Sequence, residues 1–222
     1  MRNMKIFLIT LLTVCSFEIA SANDSIFQID KNLINKLTEN KICLIVMRQP
    51  EATNNTKKII TSARTPGFSL TPRGNMEINM LRPLFSTLNI FKIFTSPLYR
   101  CLQATQMFRE SLGLAVDNLV VDDRLVIQEF GIYERYPYSV YNNLFNTVPE
   151  MLEATLEGME SGADLFARTN NFLWHIANNV SNETVLVMTH AFNFSHISKA
   201  LTGEYGRIVH PAEYVIYDFS GN

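Results

Sequence analysis

The run Ile42-Cys43-Leu44-Ile45-Val46-Met47 ends on the polar pair Arg48-Gln49. It is rich in β-branched residues, shows no polar alternation and is too short for an ordinary helix, so it predicts a parallel strand covered on both faces. Phe91 to Thr95 and Thr184 to Thr189 read as similar strands, the latter leading into His190, and Leu119 to Val121 reads as another, shorter one. Between them the spacing turns helical. Leu70 to Leu88 opens with Thr71 as N-cap and Pro72 at the first helical position, and Ser96-Pro97 repeats that signal for a helix to about Leu112. Leu165, Phe172 and Ile176 share one helical face, with Phe166 and Leu173 beside it. Tyr214 to Phe219 predicts a last edge strand. Alternating strand and helix favour one α/β domain, a three-layer α/β/α sandwich with a mostly parallel central sheet.

In such sheets ligands sit outside the carboxyl ends of the strands. The residues leaving three strands here are Arg48-Gln49, Ser96 through Arg100, and His190. Two guanidinium groups and an imidazole converging on one crevice would suit a phosphate. Each has a plainer role open to it: Arg48 pairing with Glu51, Arg100 lying along a helix surface, His190 satisfying backbone in a core.

The 222 residues are 47% hydrophobic and 18% charged, which excludes a disordered or collagen-like chain. A net charge of −2 supplies no global positive field for a nucleic acid, so none is expected as partner. At the N-terminus, Arg2 and Lys5 precede an apolar run from Ile6 to Val14, and Ala20-Ser21-Ala22 offers the small residues of a cleavage site. Residues 1–22 therefore read as a signal peptide, too short in its apolar run to span a bilayer. Residues 23–222 form the domain, in the periplasm or secreted, with no integral membrane segment after cleavage. Cys43 and Cys101 then remain, too few for a disulfide framework and expected as buried free thiols. Spacing among His175, His196 and His210 gives no metal site, and no cofactor is expected.

The segments Leu44 to Glu51, Leu70 to Gly74, Ser96 to Arg100 and Val185 to His190 resemble, in order and spacing, the histidine phosphatase, or phosphoglycerate mutase-like, superfamily. Asp123 to Leu125 with Gly131 to Glu134 is similar to the family's acid-bearing segment, and Glu160-Ser161 with Arg168 to the segment entering its late helix. The resemblance implies a phosphate pocket holding Arg48, Arg100 and His190, with Asn55 near its rim. It also exposes departures. The family's nucleophilic histidine position is Gln49, whose amide nitrogen is delocalised into its carbonyl and cannot attack phosphorus comparably. The glutamate that protonates the leaving oxygen in the larger branch falls at Ile127, and the aspartate of the other branch at Ala191. Glu129 or Glu134 could substitute after a local shift. Pro50 replaces a glycine and brings no N–H.

Three readings follow. The first is a catalytically impaired member that binds a phosphate-bearing small molecule, glycan or protein. The second is a divergent phosphatase for monoesters of small molecules or envelope glycans, with His190 as nucleophile or base and Glu129 or Glu134 as acid. The third is a protein-interaction module using the aromatic segment Tyr133 to Tyr138 and Tyr141, a segment that could equally cap the core or form a lid.

Overall fold

The computed structural model describes residues 6–7, 26–65 and 67–221. In chain order the elements are β1 Ile6–Phe7, α1 Lys31–Glu39, β2 Cys43–Arg48, α2 Thr53–Thr56, α3 Pro72–Phe85, β3 Ile90–Thr95 and α4 Tyr99–Ser111. They continue with β4 Leu119–Val121, α5 Tyr138–Asn142, α6 Val148–Glu153, α7 Gly162–Asn179, β5 Thr184–Thr189, α8 Ala191–Thr202 and β6 Tyr214–Asp218. The sheet order is β1-β6-β2-β5-β3-β4. The pairs β2 to β5, β5 to β3 and β3 to β4 are parallel, whereas β6 runs antiparallel to β2. The expected signal peptide lies outside the described residues except for Ile6–Phe7, which pair with Tyr217 and Ile216. Those two residues lie outside β6, which among residues 26–221 is the edge strand its sequence suggested.

Alternation along the buried strands feeds two cores. Leu44 and Val46 of β2 join Val185 and Val187 of β5 under residues of α1, α7 and α8. Ile45 and Met47 join Leu186 and Met188 under α3 and α4. The three layers follow from this: strands apolar on both sides need helices on both sides. The expected α7 stripe of Leu165, Phe166, Phe172, Leu173 and Ile176 is buried throughout.

Two helix starts differ in an instructive way. Thr71 caps α3 by accepting from the Gly74 N–H at 3.1 Å, with Pro72 following it. Behind that turn, a Cβ on Gly74 would lie 2.1 Å from the Glu51 carbonyl oxygen, so only glycine lets α3 sit this close to the loop after β2. Ser96, by contrast, does not cap α4. Its helix begins at Tyr99 behind an extended Leu98, and the Ser96 hydroxyl stays at the end of β3, bonded elsewhere. The α3 helix also stops at Phe85, short of Leu88, where the Ser86 and Thr87 hydroxyls donate back to the carbonyls of Pro83 and Leu84. Of the two thiols, Cys101 is buried and Cys43 only half-buried.

Candidate functional site

Strand register brings the site together. Arg48 pairs with Thr189, so the next residues, Gln49 and His190, leave adjacent strands at the same level, and the Gln49 N–H donates to the Thr189 carbonyl at 2.9 Å. On the other side of β5, the Ser96 N–H donates to the Met188 carbonyl at 3.1 Å. Arg100 is the second residue of α4, the helix after β3, and is 1% exposed. Arg48, Gln49, Arg100 and His190 all line one cavity of about 400 Å³, and Asn55 and Ile127 line it too. That volume lies in the range usual for small-molecule sites.

The polar contacts define the state of each group. His190 is fully buried. Its Nε2 lies 2.8 Å from Ser96 Oγ, and its Nδ1 lies 3.4 Å from an Arg100 Nη2. A guanidinium has only donors, so Nδ1 accepts and the proton sits on Nε2, directed at Ser96. Burial, then the charges of Arg100 and Arg48, hold the His190 pKa well below 6.5. The imidazole is therefore neutral. Arg100 also donates to the Thr61 carbonyl at 3.2 Å, while Arg48 donates to the Val209 carbonyl. Burial lowers the pKa of both guanidinium groups.

Among the described residues, neither Arg48 nor Arg100 has a carboxylate within salt-bridge distance. Glu51 contacts Thr71 and Arg73 instead. Nor does any Asp or Glu line the cavity. An unpaired charge held away from water costs several kcal/mol, so the buried Arg100, with a half-buried Arg48 beside it, calls for an anion from outside. The α8 helix begins at the same floor with no side-chain cap, and its first residues, Ala191 and Phe192, line the cavity. Its N–H groups and dipole add to the positive potential. The loop after β2 contributes little. The Gln49, Glu51 and Ala52 amides donate to Thr189, Glu77 and Asn55, and Pro50 has none, so this loop offers the cavity side chains. Gln49 Oε1 is buried without a partner, as is Asn54 Oδ1.

Neither candidate substitute acid reaches this cavity. Glu129 is exposed: its N–H donates to Glu160 Oε2 and its carbonyl accepts from the Glu160 N–H, while its neighbours Gln128 and Phe130 are buried. Glu134 accepts from the Ser62 N–H and hydroxyl at 2.8 and 2.9 Å, which pins the loop after α2. Arg168 forms a bidentate pair with Glu160 at 2.5 and 2.9 Å and donates to the carbonyls of Arg124 and Ile127, holding Ile127 in the cavity wall.

The rest of that wall was not foreseen. Ile60, Phe145, Val148, Met151 and Phe192 line it, and the Tyr138 hydroxyl accepts from Asn55 Nδ2 at 3.1 Å. The aromatic segment supplies part of this wall: Tyr141 is fully buried against Phe130 and Phe145, Tyr138 faces the cavity, and Tyr136 is 41% exposed. The sequence signal available was the spacing of Tyr138, Tyr141 and Phe145, one helical face interrupted by a turn. Elsewhere, His196 is buried among Phe27, Phe166 and Tyr205, and His175 and His210 are exposed. Among the described residues no group of three or more His, Cys, Asp or Glu could hold a metal ion, and no helix is long and apolar enough to cross a membrane.

Solved structures share this architecture. A mycobacterial glucosyl-3-phosphoglycerate phosphatase complexed with VO3 superposes with a TM-score of 0.66 at 15% identity, covering 78% of this chain and 91% of the other. YhfR of Bacillus stearothermophilus gives 0.65 at 19% identity, covering 79% and 90%. A mycobacterial hydrolase gives 0.64 at 16%, covering 78% and 90%. No curated protein matches the chain in sequence. The model of the histidine phosphatase superfamily (branch 1) matches residues 44–212, and the chain belongs to that superfamily.

Proposed function

We propose that this protein binds the phosphoryl group of a phosphomonoester and holds it without forming a phosphohistidine. The observation that carries the reading is a buried Arg100 and a half-buried Arg48, neither with a carboxylate partner, at the floor of a cavity beside Gln49. Arg48, Arg100 and the start of α8 supply donors for phosphate oxygens. Gln49 supplies an amide where covalent transfer needs an imidazole. Proton delivery to a leaving oxygen also lacks a carboxylic acid, since Ile127 stands in the wall and Glu129 and Glu134 are turned away. His190 is committed to Arg100 and Ser96 through both nitrogens. Losing nucleophile and acid together costs several powers of ten in rate, each about 1.4 kcal/mol of barrier.

The ligand is a phosphorylated small molecule, glycan or protein side chain. The fold-mate solved with VO3 makes vanadate a suitable probe. Vanadate or phosphate is expected to raise the melting temperature of the wild type and not of the Arg48→Ala, Arg100→Ala double variant. A wild type that does not respond overturns the reading. In a phosphomonoester screen, turnover is expected only after Gln49→His with Ile127→Glu; wild-type turnover abolished by His190→Ala would establish a divergent phosphatase instead. The leader 1–22 directs export and is removed, leaving a chain that begins near Asn23. N-terminal sequencing of protein recovered from the periplasm or medium tests this.

A further inference from the structure

We propose that the phosphomonoester taken by this cavity carries an apolar organic group, aryl or alkyl, rather than a sugar. The inference rests on the phosphate-binding reading above and extends it from the floor to the wall. The apolar side chains that line the wall include six from four parts of the chain: Ile60, Ile127, Phe145, Val148, Met151 and Phe192. The residue change that removes the family's acid position is itself part of this surface, because Ile127 presents hydrocarbon where a carboxyl would accept from a hydroxyl.

Apart from Asn142, most of the polar side chains among them are committed. Asn55 accepts from the Ala52 N–H and donates to Tyr138. Thr61 Oγ1 accepts from the Ala63 N–H, Asn146 donates to Glu150, and Thr147 caps α6 by accepting from the Glu150 N–H. No Asp or Glu lines the cavity. A sugar buried here would leave several hydroxyls short of partners, which disfavours it, whereas an apolar group gains by leaving water. The unpartnered acceptors, Gln49 Oε1 and Asn54 Oδ1, come from the end of β2 and from α2, elements that contribute none of the six wall residues.

Calorimetric titration with phosphate, phenylphosphonate, a butyl-to-octyl phosphonate series and glucose 6-phosphate tests the idea, the phosphonates being proof against hydrolysis. Phenyl- and hexylphosphonate are expected to bind at least about tenfold tighter than glucose 6-phosphate. Each added methylene should tighten binding about threefold to fourfold until the cavity is full. Val148→Ser with Met151→Gln should erase this gain and leave inorganic phosphate affinity unchanged, which also shows that the variant is folded. Glucose 6-phosphate binding as tightly as the apolar ligands, with phosphate still bound, overturns the inference alone. Absence of binding by phosphate and by every phosphonate overturns the phosphate reading, and the inference falls with it.

Discussion

The floor of the cavity and its wall are built by different means. The floor hangs on strand register: Arg48, Gln49 and His190 are placed by consecutive β2 and β5 pairings, and Arg100 by the turn after β3. The wall hangs on side chains, with Phe130 packed edge-on against Tyr141 at 5.4 Å and Phe192 at 6.0 Å, and on the Arg168 pair behind Ile127. Backbone ladders fix a position to a fraction of an ångström whatever the side chains are. Packed rings fix it only while the packing lasts. The floor should therefore survive insults that the wall does not.

The sharpest way to break that contrast is Phe130→Ala, which empties a fully buried ring site. It is expected to cost about 3–5 kcal/mol in denaturant unfolding and to loosen the segment carrying Tyr141, while phosphate binding at the floor persists in the folded fraction. If the variant loses phosphate binding in proportion to stability, floor and wall are one unit. Arg168→Ala is the next largest change. It removes charge-assisted bonds to Glu160 and to the carbonyls of Arg124 and Ile127, and a loss on the order of 2 kcal/mol is expected, together with faster amide exchange around Ile127.

The smallest effect separates the two buried histidines. Burial, only partly opposed by the Leu152 backbone, pushes His196 down to about 3 from 6.5, and the rings of Phe27, Phe166 and Tyr205 surround it. The unfolded chain thus binds a proton below pH 6.5 that the folded chain refuses, so stability falls as pH falls from 6.5 toward about 3. His196 alone contributes about 1 kcal/mol over the first pH unit below its ordinary value. His196→Leu should flatten the melting temperature against pH, leaving the share due to His190; an unchanged slope would mean that His196 is protonated in the fold.

The same contrast explains what could be read from the chain. Apolar runs ending in polar residues announced β2 and β5, and with them Arg48, Gln49 and His190, because a strand end is a fixed place in a parallel sheet. Arg100 was legible by the same rule. Ser96 was misjudged as a cap since Ser-Pro opens many helices, and only the neighbouring His190 shows why its hydroxyl stays behind. Glu129 could not be placed without knowing that its backbone and the Gln128 side chain both bond to Glu160, a residue 31 positions away. Ile60, Met151 and Phe192 come from separate elements with no shared period, so nothing in local spacing links them.

The lack of carboxylates around the cavity, together with a neutral His190, has one more consequence. Across the interval in which a phosphomonoester gains its second charge, at a pKa near 6, neither an acid nor an imidazole of the cavity changes its ionisation. Any acid-side weakening of capture would then report the guest's own protonation, making the host a constant background against which that ionisation can be read.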